Sequence, residues 1–242
     1  MRIALSMLLA LGALAARAED PLTTMRGQLA KCERGAFDAA LAAADQAAAG
    51  ETASLSAQLA SAEGHLLLAN HCRLLRGLGV ADKAEEKSLR ETQDASAAAG
   101  MAAAERTMTL AKAPEELARA HRVLGELISH QISGPISGMR NGPKAREHLD
   151  EAIELAPGDV ECRRAQAVML LNNPAMFGGD PAAAAEILAS CVKEHPEQED
   201  LQLLLALAYR KCEKPAEAKA AAQAAVALNT GCDHAARFLA VL

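Results

Sequence analysis

Seven histidines and six cysteines are the side chains of this 242-residue sequence best suited to chemistry, as metal ligands, general bases or, for cysteine, nucleophiles. Their spacing organises little of it. His65 and His71 are six apart on one long helical pattern and so face different sides of a helix with about 3.6 residues per turn. His148 and His195 fall in or after outer helices. His130 and Cys162 are the one reactive pair that could share a groove, and a Cys-His nucleophile there requires a free thiol. The cysteines lack the close spacing of a metal loop. There is no phosphate-binding glycine loop, no Gly-x-Ser-x-Gly elbow and no pair of histidines at helix spacing around a glutamate. No catalytic residue, metal or cofactor is assigned, and the chain reads as non-enzymatic.

The cysteines have a second use. Met1 to Ala18 carries Arg2, an apolar run from Ile3 to Ala15 and the small-x-small ending Ala16-Arg17-Ala18 ahead of Glu19-Asp20, the pattern of a cleaved secretory signal peptide. The expected mature chain starts near Glu19 and is periplasmic; no second long apolar run follows, so an integral membrane protein is not expected. In an oxidising compartment an even cysteine count suggests disulfides. Fifteen pairings are possible for six; helix levels allow Cys32 with Cys72 and Cys162 with Cys191, and Cys212 with Cys232 follows only by exclusion, against the repeat geometry.

Composition bounds the fold. Hydrophobic residues make up 51% of the chain, much of it Ala, whereas aromatics are 2% and β-branched residues are sparse, so sheets lack their usual material and the class is all-α. A net charge of −6 without a basic block, with one Tyr and three Phe to stack on bases, argues against nucleic acid.

The helices that would position any site repeat. Ala145/Leu149/Ala152/Pro157, Ala184/Leu188/Cys191/Pro196 and Ala218/Ala222/Ala225/Thr230 each put small and apolar residues on one helical face, and the copies start 39 and 34 residues apart. Each copy reads as the second helix of a hairpin. On the preceding helices, Leu205, Ala206 and Tyr209, then Ala165 and Val168, then Leu124, Gly125 and Ile128 occupy corresponding places. These positions resemble the tetratricopeptide repeat family, best in the last copy, although Thr230 replaces the usual proline. The resemblance implies a helix-turn-helix solenoid whose concave face and rim bind a partner. The expected organisation is a signal peptide at 1–18, an N-terminal helical part at 19–113 and repeats with a C-terminal capping helix at 114–242. In the N-terminal part, Pro21 to Lys31 and the Phe37–Ala47 stripe predict a worn hairpin. Two longer helices, about Ala53 to Arg76 and Ala81 to Lys112, should brace the array, with close packing around their Ala-rich stretches.

Two hairpins have long turns. The stretches His130–Pro143 and Asn172–Pro181 are read as inserted loops side by side on one rim, carrying Ile136, Met139, Met176 and Phe177 either as plugs of the core end or as contacts to a ligand or partner. Carrying the family's concave positions over adds Arg122, Glu126, His130, Gln166, Met169, Leu170, Leu203 and Leu207, an apolar centre edged by charge. Exported repeat proteins with Gly-Gly-Asp turns such as Gly178-Gly179-Asp180 are similar to helical periplasmic partners of solute transporters and of bacterial lipid and sterol trafficking. That resemblance implies a carrier of an apolar ligand, a lipid or sterol, working with an envelope transport protein. The other expectation is a periplasmic scaffold for a partner protein.

Overall fold

A computed structural model describes residues 21–229 and 233–242, so the expected signal peptide, Thr230 and Cys232 lie outside the described residues. These form helices throughout: α1 Pro21–Ala30, α2 Arg34–Ala48, α3 Leu55–Leu78, α4 Lys83–Leu110, α5 Pro114–His130, α6 Pro135–Leu155, α7 Val160–Asn172, α8 Pro181–Glu194, α9 Glu199–Lys211, α10 Pro215–Leu228 and α11 His234–Leu239. Starts follow local chemistry. Asp82, Asp159 and Asp180 accept backbone N–H bonds as N-caps of α4, α7 and α8, and Ser54 does the same for α3. Pro114, Pro135, Pro181 and Pro215 open α5, α6, α8 and α10, where the missing N–H costs nothing.

The pairs α5/α6, α7/α8 and α9/α10 are three successive antiparallel hairpins, closed by α11. The small-residue face does what its spacing implies: Ala152, Ala184, Leu188, Cys191, Ala218, Ala222 and Ala225 are fully buried and Ala145 and Leu149 nearly so. Gly125 shows the closeness of approach. A Cβ there would lie 3.0 Å from the Ala145 carbonyl oxygen, the His148 Cβ and the Leu149 Cγ, so only hydrogen fits between α5 and α6.

The N-terminal part braces this array in a particular way. Helix α3 packs on α5, α9 and α11 and is backed by α4, while α1 and α2 fold over its other side. Glu63, Asn70 and Arg73 meet Arg122, Glu126 and Ser129 in sequence order, so α3 runs alongside α5 with the same sense. Further along, Gly77 meets Arg210 of α9. A helix of this chain therefore lies across the first helices of the repeats. The Ala-rich middle of α4 packs closely as expected, with Ala97 and Ala104 fully buried and a Cβ on Gly100 reaching 2.9 Å from the Cβ of His65.

One expected loop is helix. His130–Pro143, expected as an inserted loop, is helical over most of its length: α6 begins at Pro135 and continues through Pro143 to Leu155. Proline's fixed φ suits a helix, and what it removes is one hydrogen bond in exposed turns ahead of the buried Ala145 face. The Ser137 hydroxyl, accepting from the Ser133 and Gly134 N–H groups at 3.0 Å, supports the start of α6.

Gly125→Val should lower unfolding stability by about 1–3 kcal/mol through overpacking. Gly35→Ala, where no atom lies within 4 Å of the added carbon, should cost nothing. Urea denaturation followed by helical circular dichroism distinguishes the two; equal midpoints would refute the close approach of α5 and α6.

Candidate functional site

The concave positions resolve into two environments. Glu63 of α3 accepts from Arg119 and, at 2.6 Å, from Arg122 of α5. Arg122 also reaches Glu126 at 3.0 Å, and Glu126 accepts from Arg164 of α7 and from Asn70 of α3. Arg164 continues to Glu161, which takes a 2.7 Å bond from Arg26 of α1. Glu63, Arg122, Glu126 and Arg164 are all buried. Burial by itself lowers an arginine pKa, but the facing carboxylates of Glu63 and Glu126 outweigh it at Arg122, and those of Glu126 and Glu161 at Arg164, so both are held above the ordinary value. Burial would raise Glu161, but Arg164 and Arg26 hold it well below the carboxylate range. His130 completes the cluster with a 2.8 Å contact to Asn70, and burial together with Arg73 and Arg164 keeps it neutral. These expected ligand residues, Arg122, Glu126 and His130, are instead occupied in docking α3 and α1 onto α5 and α7.

Beside this network the remaining concave surface forms a partly open cavity of about 510 Å³, within the range of small-molecule sites. Leu203, Leu204 and Leu207 of α9 and Val168 and Leu171 of α7 form one wall, and Leu67 and Leu74 of α3 with Leu29 of α1 form the other. Leu203 and Leu207 are thus placed as expected. Gln166, Met169 and Leu170 are not in its wall; Leu170 packs on the C-terminal core. The polar positions Asn70, His71, Arg73 and His234 carried little signal, because α3 and α11 belong to no concave position of a repeat, whereas Asp200 of α9 falls on one. His71 and His234 meet edge to face at 6.0 Å, and His234 reaches Glu199 at 2.9 Å. Burial and the neighbouring His234 push His71 down to about 4.

The turns form a third region. Arg146, in the middle of α6, donates a 3.0 Å bond to the Phe177 carbonyl, so the α7/α8 turn lies against that part of α6. The turn holds a 3-10 segment, Ala175–Phe177, followed by Gly178 at φ 83°. A Cβ on Gly179 would overlap the Asn173 carbonyl, which requires glycine there. The apolar residues do not plug the core: Ile136 is 81%, Met139 66%, Met176 82% and Phe177 56% exposed.

The expected disulfide pairs are corrected. Cys72, Cys162, Cys191 and Cys212 are free thiols, which excludes Cys32–Cys72, Cys162–Cys191 and Cys212–Cys232. Cys32 is disulfide-bonded, with its partner outside the described residues. The reason is packing. Cys72 points into the cluster of Met25, Leu29, Phe37 and Leu41, and Cys191 into the core between α8 and α9. Burial raises Cys72 to about 11 and Cys162 to about 12, so neither is poised as a thiolate.

Removing one partner of the buried network, as in Glu126→Ala, should cost about 3–5 kcal/mol by leaving Arg122 and Arg164 uncompensated. The pH dependence has one sign. Glu161 is depressed in the folded state, so its contribution is present above its unfolded value of 4.5 and is lost as pH falls below it. His71 is also depressed, so the unfolded chain binds the extra proton between pH 6.5 and about 4 and stability drops across that window. Thermal midpoints measured from pH 7 to pH 4 should fall, and His71→Gln should flatten the upper part; an unchanged slope in the variant would contradict a neutral buried His71.

Comparison with known proteins agrees with the geometry. Residues 178–242 match a family model described as Tetratricopeptide repeat, covering the α8 to α11 segment. No curated protein matches the chain. The protein is an all-α, tetratricopeptide-like helical solenoid with long N-terminal helices packed on it.

Proposed function

We propose that this protein is an exported scaffold that holds a partner protein on the rim built by the start of α6 and the α7/α8 turn. Ile136, Met139, Met176 and Phe177 carry the reading: four large apolar side chains exposed on a repeat array otherwise economical with them. The repeat match supports a protein partner, since such arrays work chiefly as interaction surfaces. Helix α3 occupies much of the concave face, which leaves the rim as the open surface. Arg140, Lys144 and Arg146 stand exposed beside the apolar residues in a chain of net charge −6, so the complementary partner segment is apolar and acidic. Export rests on the Met1–Ala18 pattern, and the bonded Cys32 is in keeping with an oxidising, periplasmic compartment. No helix among the described residues is long and apolar enough to cross a membrane.

The cavity favours a second reading, a carrier of an apolar small molecule such as a lipid or sterol that delivers to an envelope transport protein. Its leucine walls and its volume support that reading.

Affinity capture from envelope extracts with the mature chain separates them. A Met176→Asp/Phe177→Asp variant should lose a specific partner at least tenfold in affinity, with helicity unchanged, whereas Val241→Asp, at an exposed apolar site away from the rim, should keep it. Identical partners and affinities in all three proteins would reject the rim. For the carrier, organic extraction and mass spectrometry of the purified protein should recover one lipid class in stoichiometric amount, and clean extracts would count against it.

A further inference from the structure

Besides the carboxylates Glu197, Glu199 and Asp200 and the exposed Lys31, the cavity is lined by cations of two kinds. Arg26 and Arg164 are paired with Glu161 and Glu126. Arg73, Arg210 and Lys211 are not: among the described residues no carboxylate oxygen lies within 4 Å of any of them. Arg73, half-buried on α3, directs both terminal guanidinium nitrogens at one hydroxyl, Ser129 Oγ, at 3.4 Å each, the outer limit of a hydrogen bond. Ser129 spends its own proton on the Glu126 carbonyl at 2.7 Å. Arg210 and Lys211, at the exposed mouth, donate to the carbonyls of Gly77 and Leu171 at 2.6 Å, which pins the end of α9 to the ends of α3 and α7. Arg73 lies one turn before Gly77 on the same face of α3, so all three cations stand toward one end of the cavity.

That arrangement is electrostatically incomplete. The paired arginines of the network are held above their ordinary pKa by their carboxylates, whereas burial lowers Arg73 to about 10 and also lowers Arg210 and Lys211. Glu126 and Asp94 act on Arg73 only from a distance and do not offset its burial, and a planar guanidinium fork matches a carboxylate in two parallel bonds. A body of leucines adjoining a cationic end is the complement of an amphiphile. An extended peptide has no continuous path through the concave face, because α3 crosses it and α1 covers the cavity.

We infer that the cavity binds a single-chain amphiphile with a carboxylate head group, the head on Arg73 with Arg210 and Lys211 at the mouth and the hydrocarbon chain among Leu67, Leu74, Leu203, Leu204 and Leu207. This rests on the carrier reading and sharpens it: the ligand is an acid, not a neutral sterol. Arg73 gives the site its head-group specificity, since its removal leaves the leucine walls intact.

The test is calorimetric titration of the mature chain with dodecanoate and, separately, dodecanol. Dodecanoate should bind saturably, one per chain, at least tenfold more tightly than the alcohol. Arg73→Gln should weaken dodecanoate at least tenfold and leave dodecanol unchanged, and Lys211→Gln at the mouth should weaken the acid by a smaller factor. Arg73 lies outside the ion-pair network, so the variant should keep wild-type circular dichroism and melting, and Lys211→Gln supplies the readout if it does not. Equal binding of acid and alcohol, insensitive to both substitutions, would overturn the head-group assignment and leave the carrier reading standing. Binding of neither probe would overturn both.

Discussion

The structure depends on a buried ion-pair chain that runs Glu63, Arg122, Glu126, Arg164, Glu161, Arg26 across four helices. Small side chains alone hold the hairpins together, because Ala faces allow helices to approach closely, but they carry no information about where a long amphipathic helix should lie on the array. The charges do. Glu63 sits opposite Arg122 and Asn70 opposite Glu126, so sliding α3 along α5 by a turn would leave buried charges unpaired. The network is better understood as setting register than as adding stability, since a well-packed apolar replacement of a buried pair is often no worse, whereas a broken pair is costly.

Placing α3 there decides what the concave face can do. In an open solenoid the first helices of the repeats present a continuous groove; here α3 fills it alongside α5, and α1 with the Asn229 region closes the rest. Asn229 donates to the Ala30 carbonyl and to Glu199, joining the last repeat helix to the end of α1. What remains among the described residues is a partly open cavity beside α7 and α9 and an outer rim. The two proposed uses of the molecule thus occupy separate surfaces, and the residues that a groove would share are divided among network, cavity and rim.

The array was legible in the sequence because its physics is local. A face of Ala, Leu and Cys at spacings of four and three writes helix, partner and close approach in a window of eight residues, and Asp180-Pro181 writes a helix start in two. The site was less legible because its contacts are not local. Arg122 and Glu126 read as groove residues until Glu63, some 59 positions from Arg122, is placed against them. Arg73 carried no signal, since what distinguishes it, that among the described residues no carboxylate lies within 4 Å, is decided only by folding. The extra residues before Ala145 suggest a loop but extend α6 instead, because burial of Ala145, Leu149 and Ala152 just beyond Pro143 outweighs the hydrogen bond that the proline removes.

The cysteines show how size changes an inference from composition. An even count in an exported chain suggests a covalent framework when the chain is too small to build a core. This chain builds one, and Cys191 occupies in its repeat the place that Ala152 and Ala225 occupy in theirs, fully buried like both. Cys162 lies just as deep on the adjacent first helix. Such thiols behave as small apolar side chains, and their raised pKa keeps them out of exchange chemistry. Cys32 differs because of its place. It follows the end of α1, next to the Ala30 carbonyl that Asn229 engages, where the N-terminal helices meet the C-terminal ones and no repeat interface holds them together. The bonded Cys32 thus stands outside the repeats, while Cys162 and Cys191 within them pack as apolar residues.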